Sequence, residues 1–160
     1  MGTIETKAIA LQPLALVADE DHAPPTGEMK PPPPRFLIVD DDEGVREIFA
    51  RLLRAEGYTV RAVATADAGL EAVAEWRPDA ILLDYRMPFV NGLGFLYRLR
   101  TYESTAPTPV AVITAVDDSN GALAMECATL GVAVYFKPID SNGLRHVART
   151  LLNSDNLPTH

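Results

Sequence analysis

The chain has 160 residues, with 22 Asp and Glu against 14 Lys and Arg, 13 Pro and one Cys. That length suits one modest α/β-sized domain with room for a tail and is too short for a multidomain enzyme. A formal net charge of −8 argues against non-specific attraction to nucleic acid or an anionic membrane, and no apolar run is long enough to span a bilayer. The single Cys127 cannot form an internal disulfide and fits a reducing compartment, so the expected location is cytoplasmic.

Seven of the 13 prolines fall in the first 34 residues, and Pro31 to Pro34 form a run that favours a stiff, extended polyproline spacer. Residues 1–34 are therefore expected to be a Pro-rich tail or linker, flexible in character. Its one apolar stretch, Ala8 to Ala18, is broken by Gln12 and Pro13 and follows Glu5 beside Lys7, which is unlike a secretory signal. Residues 35–153 form the expected domain, and 154–160 a short C-terminal tail.

From Arg35 onward, short apolar runs alternate with helix-period segments, the pattern of repeated βα units. Phe36 to Val39 is a first strand. Val45, Ile48, Phe49, Leu52 and Leu53 then repeat at helical spacing, and Gly57 supplies the stop. Tyr58 to Val63 carries Thr59 and Arg61 among apolar residues and is placed at a sheet edge. Thr65 caps a second helix that Pro78 excludes from continuing. Ala80 to Leu83 is the third strand, and Asn91 caps the helix of Leu96 and Leu99. Val110 to Ile113 is the fourth strand, followed by a helix capped by Asp118 or Ser119 and ending at Gly131. Val132 to Phe136 is the fifth, and Asp140 or Ser141 opens a last helix striped by Leu144, Val147, Ala148 and Leu151. All strands but the second read as continuous apolar runs, the sign of inner parallel strands covered on both faces. Nine residues follow Leu151, so no output domain is expected after it.

A polar residue stands at the carboxyl end of four of these runs: Asp40 and Asp41 after the first, Asp84 after the third, Thr114 after the fourth and Lys137 after the fifth. In an open, doubly wound parallel sheet these ends form the ligand crevice, so the groups are expected to converge. Three crowded carboxylates raise one another's pKa unless a cation sits between them, and oxygen-only ligands favour Mg²⁺. A carboxylate, Mg²⁺, a hydroxyl and a lysine suit phosphoryl transfer. Asp84 is the expected nucleophile, Lys137 the charge that holds phosphoryl oxygens, and Thr114 a hydrogen-bond donor to another.

The span from about Arg35 to Leu152 resembles the response-regulator receiver domains of two-component signalling. Phe36-Leu-Ile-Val-Asp-Asp-Asp with Arg46 resembles the family's acidic-pair motif. Ile81-Leu-Leu-Asp-Tyr-Arg-Met-Pro with Gly92 resembles the phosphoacceptor motif, Val112-Ile-Thr-Ala the switch-hydroxyl motif, and Lys137-Pro138 the lysine-proline motif. The resemblance implies a flavodoxin-like, doubly wound sheet of five parallel strands in order 2-1-3-4-5, flanked by five helices. It implies phosphorylation of Asp84, with Asp41, Asp84 and the Arg86 backbone carbonyl as Mg²⁺ ligands and Asp40 helping through water. It further implies a cis Lys137–Pro138 peptide and a switch made by Thr114 and an aromatic on the fifth strand. The family commonly places that aromatic three residues before the lysine. Here that position is Val134, and the expected switch aromatic is Tyr135. The two positions that tune phosphoryl hydrolysis in the family are Arg86 and Val116.

The resulting expectation is a single-domain receiver that accepts a phosphoryl group from a phosphohistidine of a sensor histidine kinase or histidine phosphotransfer protein. It signals through contacts with an unidentified output protein, as a monomer or a phosphorylation-dependent dimer, and has neither nucleic acid nor membrane as a partner. Its only catalysis is of its own phosphorylation and dephosphorylation. Two alternatives stand beside it: a haloacid-dehalogenase-type phosphohydrolase using Asp40 with Asp42, and a pseudo-receiver that binds partners without phosphorylation. Trp76 and Tyr102 read as packing residues, and His22, His146 and His160 form no constellation.

Overall fold

Parallel pairing dominates the computed structural model, which describes residues 27–153. The Ala8–Ala18 segment, His22, the 154–160 tail and most of the expected N-terminal arm lie outside the described residues. The chain divides into two units, Met1–Pro32 and Pro33–His160. Of the first, residues 27–32 are described; they are exposed and lack regular secondary structure.

The second unit carries ten alternating elements: β1 (Arg35–Val39), α1 (Glu43–Ala55), β2 (Thr59–Val63), α2 (Ala66–Trp76), β3 (Ala80–Leu83), α3 (Gly92–Thr101), β4 (Val110–Thr114), α4 (Ala122–Thr129), β5 (Ala133–Phe136) and α5 (Ser141–Leu152). The strands form one parallel sheet in the order β2-β1-β3-β4-β5, the doubly wound arrangement expected. Side chains alternate across the strands and so feed two cores. Leu37, Val39, Ile81, Leu83, Val110 and Val112 pack under α2, α3 and α4. Phe36, Ile38, Ala80, Leu82, Ala111 and Ile113 pack under α1 and α5. Because both faces are covered, β1, β3 and β4 read as unbroken apolar runs.

The fifth strand corrects the sequence pattern. Its apolar run suggests an inner strand, yet β5 lies at the sheet edge with Ala133 and Phe136 exposed. Val134 and Tyr135 are half-buried on opposite faces, and two such residues suffice to make an edge strand look internal. Among the described residues, no helix is long and apolar enough to cross a membrane.

Helix starts follow the expected side chains, with one exception. Thr65 Oγ1 accepts from the Ala68 N–H at 3.1 Å, Asn91 Oδ1 from Gly94 at 3.0 Å and Asp140 Oδ1 from Gly143 at 2.7 Å, each satisfying a first-turn donor. Helix α4 begins later than expected, at Ala122, with Gly121 as the residue before it at φ 69. The Gly121 turn separates Asp118 from the helix start, but the carboxylate still reaches forward to the N–H groups of Leu123 and Ala124 at 2.8 and 3.0 Å. Ser119 takes no capping role; its N–H donates to Asp117. At the stops, Gly57 adopts φ 92 as expected after α1, whereas α2 ends on Arg77 at φ 50. Pro78 explains why the helix stops there, since the residue before proline is kept out of the right-handed helical region.

The last turn of α3 is bound to its neighbours through Arg100, whose guanidinium donates to the Leu130 carbonyl at 3.1 Å and the Thr108 carbonyl at 2.9 Å. Burial pulls its pKa down. Cys127, on α4, is buried in the first core, and burial pushes its thiol up to about 11. Trp76 lies beside the guanidinium groups of Arg35 and Arg61, 5.8 and 5.1 Å from its ring centroid.

Candidate functional site

The sheet ladder sets the height of each site residue. The Asp40 N–H donates to Val63, the Asp84 N–H to Val39 at 2.8 Å and the Lys137 N–H to Thr114 at 2.9 Å. These bonds carry the pairing beyond the last strand residues and bring the polar groups to one level at the carboxyl edge. Asp40, Asp41, Asp42, Asp84, Arg86, Thr114 and Lys137 all line one open cleft of about 490 Å³. Residues nearly a hundred positions apart thus converge where the sheet rule expects a ligand.

Within the cleft, Asp40 is buried and fully engaged. Its Oδ1 accepts from the Asp42 N–H at 2.9 Å and its Oδ2 from Lys137 Nζ at 2.8 Å. Lys137 Nζ also stands 3.7 Å from Asp84 Oδ1. Carboxylate oxygens of Asp40, Asp41 and Asp84 lie within 4.8 Å of one another. Burial raises the pKa of Asp84 above the usual carboxylate range; Lys137 opposes that, while Asp40 and Asp41 add to it and an Arg86 backbone hydrogen bond works against it. One ammonium faces three carboxylates, so the cluster lacks positive charge. That deficit, together with a donor set made of oxygen alone, fits a divalent hard cation such as Mg²⁺. Thr114 is wholly buried, and its Oγ1 accepts from the Val116 N–H at 3.3 Å.

Arg46 does more than its place in the acidic motif suggested. Its Nη1 donates to the carbonyls of Asp40 and Asp41 at 2.9 and 3.0 Å, holding the turn that aims both carboxylates. Its position on the first turns of α1, six residues after Asp40, is the only sequence signal for this. Asp42 caps α1, with its Oδ1 on the Val45 N–H at 3.0 Å. That cap engages one oxygen of the carboxylate which the hydrolase alternative would use beside Asp40. Met87, Pro88, Ala115 and Val116 complete the lining and carried no polar signal.

The structure does not bring Tyr135 to this site. The β4–β5 register runs without a bulge, pairing Val112 with Val134, Ile113 with Tyr135 and Thr114 with Phe136. Tyr135 consequently packs in the core under α1 and α5, while Val134 occupies the α4 side. The expectation that Tyr135 faces the space beside Thr114 is corrected: a one-residue shift on a strand reverses the face. The Lys137–Pro138 peptide is cis.

The loop from Asp84 to α3 is pinned at both ends. Gly92 donates its N–H to the Tyr85 carbonyl at 2.8 Å. A Cβ at Gly92 would lie 2.8 Å from Tyr85 Cα and 3.0 Å from the Asp84 carbonyl oxygen. Both are backbone atoms that cannot swing aside, so Gly92→Ala is expected to cost about 1–3 kcal/mol. Urea denaturation measures this, and an unchanged midpoint would show that the loop gives way freely. Between the pins, the Val90 N–H donates to the Pro88 carbonyl at 2.9 Å across Phe89, whose φ is 69. This is a γ-turn of the rarer, strained hand, and a bulky side chain there costs on the order of 1–3 kcal/mol.

A family model for the response regulator receiver domain matches residues 36–149. The chain belongs to this family. Among relatives of this receiver is a protein-glutamate methylesterase/protein-glutamine glutaminase of Anaeromyxobacter dehalogenans, 37% identical over 108 residues, which are 65% of this chain and 29% of that protein. Another is the response regulator MprA of Mycobacterium ulcerans, 42% identical over 83 residues, 52% of this chain and 35% of that one. The receiver thus spans about a third of the length of these relatives. Among solved structures, the Vibrio cholerae chemotaxis protein CheY4 superposes with a TM-score of 0.69 at 24% identity, covering 75% of this chain and 99% of that one. A sensor protein from Polaromonas sp. JS666 gives 0.69 at 27% identity, covering 76% and 97%. Membership in this family displaces the hydrolase reading built on Asp40. The receiver is homologous to phosphorylation-dependent switches.

Proposed function

We propose that this receiver accepts one phosphoryl group on Asp84 from a phosphohistidine of a sensor kinase or phosphotransfer protein and passes the signal on through protein contacts. The observation that carries the reading is the meeting of Asp40, Asp41 and Asp84 with Lys137 in one open cleft at the carboxyl edge of the sheet. An Asp84 oxygen attacks phosphorus, the new P–O bond forms as the P–N bond breaks, and the electron pair stays on the imidazole nitrogen. Mg²⁺ held by Asp41, Asp84 and the Arg86 carbonyl, with Asp40 acting through water, would neutralise charge on the transferring group. Lys137 sits beside Asp84 to hold a phosphoryl oxygen. The Thr114 hydroxyl, which lines the same cleft, is the donor for another.

Acetyl phosphate with Mg²⁺ tests this directly. Intact-mass measurement is expected to find one added phosphoryl group, lost when the cation is chelated. A protein that never gains it would be a pseudo-receiver.

The lifetime of the phosphoryl group is a separate matter. Arg86 and Val116 both line the cleft, and neither side chain offers an acceptor to orient an attacking water. Slow hydrolysis follows, and Val116→Glu is expected to speed loss of a radiolabelled phosphoryl group. An unchanged decay would remove water positioning as the explanation.

A further inference from the structure

Phe89 is the most exposed large apolar side chain among the described residues, with 104% of its reference area in solvent. It also holds positive φ at the tip of the pinned loop, a conformation that glycine would adopt without strain. A residue that neither packs nor relaxes the backbone contributes nothing to folding, so its use lies outside the fold. Its neighbours give the place: Met87 and Pro88 line the cleft, and Phe89 follows them directly in the chain, on the loop that leaves Asp84.

We infer that Phe89 is a docking anchor for the protein that carries the phosphohistidine, seating in an apolar depression beside that histidine. The inference rests on the reading of Asp84 as phosphoacceptor and goes beyond it. Any donor must put its imidazole into the cleft, and a histidine side chain is short, so the donor's backbone comes down onto the rim. The cleft itself cannot draw the donor in by charge: Asp40, Asp41, Asp42 and Asp84 face an anionic phosphoryl group, with Lys137 already engaged by Asp40. Attraction must come from contacts around the cleft, and a desolvated aromatic is the commonest source of it. The rim supports that choice, because Pro88, Ala115 and Val116 border the same opening without charge. The strained turn fixes the ring outward before the donor arrives, so little freedom is lost on binding.

Two phosphoryl donors separate the anchor from the acceptor: phosphoramidate, and the autophosphorylated histidine-kinase fragments of the source organism, of which the fastest on the unaltered receiver becomes the protein donor. Phe89→Gly removes the ring and the strain together. It is expected to keep the phosphoramidate rate and an equal or higher melting temperature, while its kcat/KM from the protein donor falls by about tenfold or more. Phe89→Trp is expected to retain most of the transfer. Equal transfer to the receiver and to Phe89→Gly overturns the anchor, as does a lower melting temperature of that variant, which would give the ring a packing role. Labelling by phosphoramidate and by none of the kinases overturns it too. No labelling of Asp84 by phosphoramidate would instead overturn the phosphoacceptor reading on which it stands.

Discussion

Asp84→Asn is expected to abolish phosphoryl incorporation and, in the same molecule, to raise the melting temperature at neutral pH. The first half follows from removing the carboxylate proposed as the acceptor, while an amide of equal shape leaves the strand and the loop to Gly92 in place. The second half follows from the sign of the Asp84 shift. Burial raises its pKa in the folded chain, so the protonated form contributes stability below the unfolded pKa of about 4. That contribution is lost as pH rises through the folded value. Once Asp84 ionises, the receiver carries a desolvated carboxylate beside Asp40 and Asp41, and the asparagine variant does not. Calorimetry at a series of pH values is expected to show the variant's advantage growing from about pH 4 upward. Mg²⁺ is expected to reverse the order, because it would bind the ionised cluster of the unaltered receiver and meet one ligand fewer in the variant. A pH-independent difference would assign the effect to packing.

Lys137→Met is expected to lower stability by about 3 kcal/mol in the absence of divalent cation. Lys137 Nζ stands 2.8 Å from Asp40, whose side chain is only 4% exposed, so the loss leaves a buried carboxylate held by one N–H. Methionine keeps much of the stem's volume, and the cost is therefore one of charge. Mg²⁺ is expected to restore most of the stability, since it supplies positive charge at the same cluster. Urea titrations with and without the cation measure both terms, and a deficit that Mg²⁺ leaves untouched would count against the charge argument. The backbone consequence is distinct. Lys137 follows β5 directly and its N–H is tied to Thr114, so without Nζ a phosphoryl group on Asp84 has no grip on that strand. Beryllofluoride is expected to shift β5 amide signals in the receiver and to leave them nearly unmoved in the methionine variant.

The site was legible in the chain because each of its members ends an apolar run, and a parallel sheet gathers such ends into one crevice. Asp40, Asp84, Thr114 and Lys137 needed no further information. Facing was harder. The run Ala133 to Phe136 carries residues buried on both sides, and a pattern of this kind fixes neither whether a strand is internal nor which face Tyr135 takes. Only the register with Ile113 decides that. The late start of α4 was hidden for another reason: Asp118 caps at a distance across the Gly121 turn, and sequence rules place a cap next to its helix. Arg46 and Phe89 lay outside the polar pattern altogether, one acting on backbone carbonyls and the other through its conformation.

Cys127 gives the receiver an internal clock. The thiol is fully enclosed under α4, and with its pKa pushed up to about 11 it is almost entirely protonated at neutral pH. An alkylating reagent can therefore reach a reactive thiolate only during excursions that lift α4 from the sheet. The rate of labelling counts those excursions in the unaltered chain, with no probe introduced. Arg100 binds the Leu130 carbonyl at the end of the same helix, so an excursion that lifts that end must also break this bond. Comparing that rate before and after phosphorylation would tell whether the signal loosens this helix or seals it.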